Sequence, residues 1–396
     1  MPKAGTVALE FDFRYDGGVN GGGEMTIRAD DNEIGRGRIA RIISKLPELT
    51  DTLDIGFDGD TPDPRQPGRR KVFGRDCEGR NRGRQVRRGG PRAVSEGMVA
   101  IPGGRFLMGS DRHYPEEAPA REVVVDPFEI DETPVTNAEF AAFVAATGHA
   151  TLAEIAPDPA DYPGMPPEMA RAGSLVFEPT AGPVDLADPM QWWRFAFAAD
   201  WRHPTGPGSS IDGLDDHPVV HVVHADANAY AAWAGKRLPS EAEWECAARG
   251  GLDRQDYAWG SEFEPGGVRQ ANTWQGRFPW ESLRHGCRTT AVRSYPPNGF
   301  GLYDMIGNVW EWTADWYAAG TSAVGRPCCV PRNPRGGDEA ASRDPGVPAA
   351  IGRRVLKGGS HLCAPSYCRR YRPAARYPQP IDTSTSHVGF RCARSA

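Results

Sequence analysis

The chain has 396 residues, of which 39% are hydrophobic and 25% charged, with a formal net charge of −6. These values lie close to soluble globular averages and leave room for one large domain or two to three ordinary ones. The negative balance argues against a dedicated nucleic-acid binder, and no apolar run approaches the roughly 20 residues of a membrane span.

The N-terminal MPKAGTVALEFDFRYD alternates apolar with charged residues and lacks the continuous apolar core of a signal peptide. Eight cysteines (77, 246, 287, 328, 329, 363, 368, 392) are too sparse and irregular for a small disulfide scaffold. Together these predict a cytoplasmic protein with reduced thiols. Val7, Leu9, Phe11, Phe13 and Tyr15 fall on one face of a strand, with Glu10, Asp12 and Arg14 on the other. A second strand is predicted around Met25, Ile27 and Ala29, and a third near Ile34–Ile39. Fewer than 60 residues make a marginal core alone. Residues 65–92 hold eleven Lys and Arg against Asp76 and Glu78, about +9. Their single aromatic, Phe73, makes no interleaved set for base stacking, so a solvated linker is expected, with Cys77 an exposed thiol within it. The organisation read from this is residues 1–62 as a β segment, 63–95 as a basic linker and 96–396 as the main domain.

The main domain opens with GMVAIPGGRFLMGS, two strands about a Pro-Gly-Gly turn, and REVVVDPFEI over Arg121–Ile130 reads as one further strand. Thr136-Asn-Ala-Glu139 is a capping box for a helix through Phe140, Phe143 and Val144 that stops at Gly148. Residues 155–215, dense in Pro, Asp and Trp, read as a long irregular stretch of the kind that carries function. A second helix is predicted over 225–234. A third opens with Ser240-Glu-Ala-Glu243 and closes at Gly250-Gly251, with Cys246 a small core residue. Beyond it the pattern is short strands and loops. Glycine at 47, proline at 36 and tryptophan at 11 fit a domain that needs something besides long elements to hold its loops, bound metal among the candidates.

Near the C-terminus stands Lys357-Gly-Gly-Ser360-His-Leu-Cys363-Ala-Pro-Ser-Tyr367-Cys368, followed by Arg369, Arg370, Arg372 and Arg376. Pro365 between the thiols excludes a helix there. Cationic neighbours lower a thiol pKa, and a thiolate is a nucleophile or metal ligand. Two thiolates suit Cu(I) or, with two more ligands, zinc. A buried or disulfide-bonded pair fits the same spacing. Adjacent Cys328 and Cys329 lie in a Pro-rich loop with no paired ligands nearby, which favours an incidental role.

MVAIPGGRFLMGS, DETPVTNAEF, DDHPVVHV, WAGKRLPSEAEWECAARGG, ANTWQGRFP, PPNGFGLYDMIGNVWEW, KGGSHLCAPSYCRRYRPAAR and STSHVGFRCA together resemble the formylglycine-generating enzymes, the sulfatase-modifying factors. The resemblance runs from about Met98 to Ala393. It implies an α+β, C-type-lectin-like fold with little regular secondary structure. It also implies a copper-dependent, dioxygen-using oxidation of the cysteine in a Cys-x-Pro-x-Arg motif of an unfolded or nascent sulfatase to Cα-formylglycine. Separately, a monomer is expected, with neither nucleic acid nor membrane as partner. Cys363, Cys368 and Ser360 match the catalytic pattern, the two cysteines holding Cu(I). Trp192, Trp310, Ser174 and Tyr367 match substrate-groove positions, for which core packing is the alternative for the tryptophans, and His387 stands where some members have asparagine. Two structural Ca²⁺ sites are implied, one at Asp304, Gly307, Val309 and Glu311, the other at Asn272 and Thr273. In the second, the expected downstream aspartate is replaced around His285. Ala231, Ala248 and Pro373 occupy positions of structural cysteines in secreted members, so Cys392 should be free. A non-catalytic peptide-binding module on the same fold is the alternative; related sulfoxide synthases lack the thiol pair that this chain has. Separately, Val7–Pro62 resembles the C-terminal segment of bacterial arylsulfatases, which would suit docking to a sulfatase or an inert fusion.

Overall fold

A computed structural model of the protein describes residues 9–15, 23–29, 32–39, 97–162, 164–283, 288–318, 330–346 and 351–396. The predicted linker, the boundaries at 62 and 95, Val7, Cys77, His285, Cys287, Cys328 and Cys329 lie outside them. The chain divides into two compact units: residues 1–52 with short stretches at 187–189 and 345–348, and the remainder.

In the first unit β1 (Leu9–Tyr15), β2 (Gly23–Ala29) and β3 (Asn32–Ile39) form an antiparallel sheet in that order. The predicted strands are present. The β2–β3 register slips between Ile27 and Arg28, which pair with Gly35 and Glu33 and leave Ile34 as the extra residue of a bulge.

The second unit is an α+β assembly of short elements. β4 (Met98–Ile101) and β5 (Gly104–Met108) flank a turn at Gly103, whose φ is +65° and where a Cβ would fall 2.3 Å from the Val125 carbonyl. The single strand expected over 121–130 is two, β6 (Arg121–Val125) and β7 (Phe128–Asp131). Pro127 has no N–H for a ladder, and the Asp126 N–H turns aside to the Asn333 side chain at 2.8 Å. β6 then pairs with β5, while β7 pairs with β4. α1 (Asn137–Thr147) carries the predicted capping box, Thr136 and Glu139 each serving the other's N–H, and ends at left-handed Gly148.

The irregular stretch at 155–215 contains a hairpin the sequence pattern did not show, β8 (Gly173–Phe177) with β9 (Trp193–Phe197). Each strand has five residues, and fifteen residues rich in Pro and Asp separate them, so neither the alternation nor a turn signature was long enough to read. α2 (His224–Trp233) and α3 (Glu241–Ala248) follow as expected. β10 (Trp310–Trp316), the single turn α4 (Glu339–Ser342), β11 (Arg353–Lys357), β12 (Arg376–Pro380), β13 (Val388–Gly389) and β14 (Ala393–Ser395) complete the chain. A four-stranded sheet runs β12-β11-β10-β13, and β14 joins the other edge of β7.

Two large apolar clusters stand out among the described residues of this unit. Phe140 is fully buried against the rings of Phe143, Trp201, Tyr230 and Phe390, at centroid distances of 5.2–6.4 Å. Cys363, Cys368 and Cys392 belong to this same cluster. The second gathers Ile101, Met108, Val123, Phe128, Ile130 and Trp244. Cys246 lies there, a free buried thiol as expected, and Cys392 is likewise free. No helix among the described residues is long and apolar enough to cross a membrane.

Candidate active site

The thiol stretch is the connection between β11 and β12, adjacent antiparallel strands whose pairing closes at Lys357 and Arg376. β11 ends in a tight reversal at Gly358 and Gly359, with φ of +93° and +70°. A Cβ on Gly359 would lie 3.0 Å from the backbone of Arg370 and Tyr371, so the two limbs of the loop touch where only glycine fits. Turns at Ser360–Cys363 and Ala364–Tyr367 then fold the loop back on itself. The Cys363 and Cys368 sulfurs meet at 3.2 Å, as two thiols with no disulfide between them. Both are buried, at 2% and 9% exposure. The Ser360 N–H donates to the Cys363 sulfur at 3.4 Å, and the Ser360 hydroxyl accepts from the Leu362 N–H.

The expectation that nearby arginines lower the thiol pKa is corrected by the loop's surroundings. Burial pushes the Cys363 pKa well up, the neighbouring Cys368 thiol adds to it, and the opposing pull of the Ser360 N–H and Arg370 is smaller. The positive charge is spent elsewhere. Arg370 pairs with Glu116 (2.7 Å), Arg372 with Glu117 and Arg376 with Glu241 (2.8 Å). Tyr114 adds an acceptor for the Arg369 N–H at 3.1 Å. The short turn around residues 114–117 therefore clamps the second limb of the loop, and nothing in its sequence spacing pointed to the thiols.

An aromatic cluster flanks the thiols. Tyr367, between the two cysteines, stacks on Phe278 at 4.4 Å, and Trp192 meets both rings edge-on at 5.3–5.4 Å. Phe177 of β8 joins Phe278, Trp193 and Trp274, while the Trp274 N–H donates to the Cys363 carbonyl. Trp192 and Trp310 are nonetheless buried, at 2% and 4% exposure, Trp310 packing on Tyr377. Ser174 is 1% exposed, its hydroxyl bonded to both Ser384 and His221 at 2.7 Å. It supports this wall from behind and offers no free hydroxyl to a groove. His387 lies against Trp193 at 4.8 Å with Nδ1 on the Thr385 hydroxyl, and burial keeps its imidazole pKa well below 6.5. Phe177, Phe278 and His221 were missed as contributors. His221 stands within the quoted DDHPVVHV segment and was not singled out.

Two buried soft thiols fit a two-coordinate soft cation such as Cu(I). Among the described residues no cluster of three or more His, Cys, Asp or Glu could complete a tetrahedral zinc site. The calcium positions fit unequally. Asp304 is a buried carboxylate whose pKa burial raises, and its hydrogen bonds come from neutral donors, the Arg293 backbone N–H and the Asn308 amide, which leave its charge for a cation. Glu311 does not fit the same role: Arg391 engages both of its oxygens (2.7 and 2.8 Å), and the Trp244 indole donates to one of them at 2.7 Å. Thr273 has a buried hydroxyl without a partner, beside Asn272, whose amide donates to the Arg288 carbonyl and to Asn308.

The family described as "Sulfatase-modifying factor enzyme 1-like domain" matches residues 85–396. A "Formylglycine-generating enzyme" of Mycobacterium tuberculosis is 52% identical over 299 residues, covering 74% of this chain and 96% of that protein. An "Inactive C-alpha-formylglycine-generating enzyme 2" of Mus musculus is 40% identical over 318 residues, covering 77% and 87%. Among solved structures, PvdO from Pseudomonas aeruginosa matches at 25% identity with a TM-score of 0.49, over 76% of this chain and 94% of its own.

Proposed function

We propose that this chain, which belongs to the sulfatase-modifying factor family of formylglycine-generating enzymes, oxidises a cysteine within Cys-x-Pro-x-Arg of a sulfatase polypeptide to Cα-formylglycine. One observation carries the proposal: two buried thiols five residues apart lie 3.2 Å from each other, without a disulfide, in a loop bounded by aromatic rings. In the reaction the substrate's CH2–SH loses two hydrogens to become a thioaldehyde, dioxygen takes up the two electrons and two protons, and water then replaces sulfur as hydrogen sulfide. Dioxygen needs a one-electron partner for such a step, and Cu(I) held by Cys363 and Cys368 would supply it. The residues themselves do the rest. The Ser360 N–H points a dipole at the Cys363 sulfur and steadies its negative charge on deprotonation. Tyr367 with the buried Trp192 and Phe278 would keep water from the thiols, and the half-buried Tyr367 ring would offer an apolar surface to the substrate proline. Ca²⁺ at Asp304 with the Gly307 and Val309 carbonyls, and at Asn272 and Thr273, would hold loops in place. The free state of Cys246, Cys363, Cys368 and Cys392 supports a cytoplasmic location.

The name of the inactive mouse relative favours a second reading, a binder of sulfatase peptide that does not oxidise it. Incubating the purified chain with Cu(I), dioxygen and a Cys-x-Pro-x-Arg peptide separates them. Aldehyde trapped as a hydrazone, with hydrogen sulfide released, supports oxidation; tight binding of unchanged peptide supports the second reading.

A further inference from the structure

His221 is fully buried, yet its backbone sits at φ +61°, a region that costs a non-glycine residue on the order of 1 kcal/mol or more. Both of its ring nitrogens are bonded: Nε2 lies 2.9 Å from the Pro204 carbonyl and Nδ1 2.7 Å from the Ser174 hydroxyl. A carbonyl only accepts, so Nε2 carries the proton. In the neutral ring Nδ1 must then accept, which commits the Ser174 proton to His221. The contact between Ser174 and Ser384 can consequently be made only by the Ser384 O–H. The direction of every bond in the chain Ser384, Ser174, His221, Pro204 is fixed by that one carbonyl. The His221 N–H also donates to the Thr385 carbonyl at 3.0 Å. On the other side of the same segment, Leu175 and Ser386 exchange bonds with residues 384 and 175, and the Phe177 N–H donates to the Ser386 hydroxyl. One imidazole thus ties together β8, the loop around Pro204 and residues 384–387. Of those pieces, Phe177 packs on Trp274, whose backbone N–H donates to the Cys363 carbonyl, and His387 packs on Trp193 of the hairpin.

We propose that His221 is a positioning residue for peptide binding: as the Nε2–H tautomer it orients Ser174 and Ser384 and so holds residues 384–387 against the β8–β9 hairpin. This rests on the proposed activity only in identifying the ligand as a Cys-x-Pro-x-Arg peptide. Nothing it touches is a reacting atom, so its loss should weaken binding and leave the thiol chemistry in place. Glutamine has one acceptor and one donor end and can stand in for the neutral ring, whereas phenylalanine fills the space with neither.

Two measurements test the proposal. In long-range ¹H–¹⁵N spectra of histidine-labelled protein at neutral pH, the signals lost in His221→Gln should show an Nε2–H ring with unprotonated Nδ1. An Nδ1–H ring or an imidazolium there would overturn the hydrogen-bond chain whatever the variants do. The second is the affinity of a fluorescent Cys-x-Pro-x-Arg peptide, read by anisotropy and so independent of turnover. His221→Phe should bind about tenfold or more weakly, at an unchanged copper content per chain, and His221→Gln should recover most of the loss. Equal affinity in wild type and His221→Phe, a His221→Gln as weak as His221→Phe, or no binding by wild type would each overturn the positioning role. Wild type that binds but does not oxidise would defeat the proposed activity and leave this one standing.

Discussion

At the scale of single residues, everything turns on two adjacent sulfurs, and burial keeps that of Cys363 protonated. The Ser360 N–H and Arg370 favour the thiolate, but burial and the second thiol outweigh them. A thiolate there has to be stabilised by what it binds, and metal binding to thiols releases their protons. Cys363→Ser and Cys368→Ser should each bring copper from about one per chain towards zero and abolish turnover, since a hydroxyl is a poor Cu(I) ligand. Because both side chains are buried and not solvent-facing loop residues, each change should also cost on the order of 1 kcal/mol, readable as a small drop in thermal midpoint. A variant that keeps full copper content would contradict the assignment of the ligands. Asp304→Ala should blunt any stabilisation by added Ca²⁺, as a ligand that binds only the folded state raises stability by mass action; an unchanged calcium response would remove Asp304 from the site.

At the scale of elements, the thiol loop is held by charge pairs that reach across the fold from a turn over 250 residues away in sequence. Arg372 and Glu117 are both almost wholly buried. Removing one partner strands the other charge, at a cost of about 3–5 kcal/mol. Glu117→Ala should therefore lower the unfolding free energy by about that much, and the double change Glu117→Leu with Arg372→Leu should recover part of it. A single variant as stable as wild type would show that the pair carries no weight. The same contrast explains what was legible in the sequence. The capping boxes at Thr136 and Ser240 and the helices they open are local patterns, and each follows from neighbours in sequence. The Glu116 and Glu117 clamp and the inward turn of Ser174 depend on partners far along the chain. Composition near each of them carries no trace of the partner. The arginine run shows this best, because its sequence suggests activated thiols while its carboxylate partners neutralise it.

At the scale of the whole molecule, buried imidazoles tie stability to pH. Burial lowers the His221 pKa to about 4 and the His224 pKa to about 3, from 6.5. The unfolded chain takes up those protons first, so stability is full above about pH 6.5 and falls as pH drops towards 4. Each group can cost on the order of 3 kcal/mol across that window. Urea midpoints measured from pH 7 to 4 should decline, and His224→Gln should flatten the decline; a flat wild-type profile would contradict the neutral, buried assignment. The family match begins at residue 85 and every site residue lies beyond 97, so a chain lacking residues 1–95 should keep the chemistry. The most direct test is therefore mass spectrometry of a Cys-x-Pro-x-Arg peptide after incubation with copper-loaded full-length protein, the 1–95 deletion and Cys363→Ser, with and without dioxygen. The first two should replace the cysteine by formylglycine only when dioxygen is present, and Cys363→Ser should leave the peptide unchanged. An unmodified peptide with copper-loaded wild type, or conversion by Cys363→Ser at the wild-type rate, would contradict oxidation at the thiol pair.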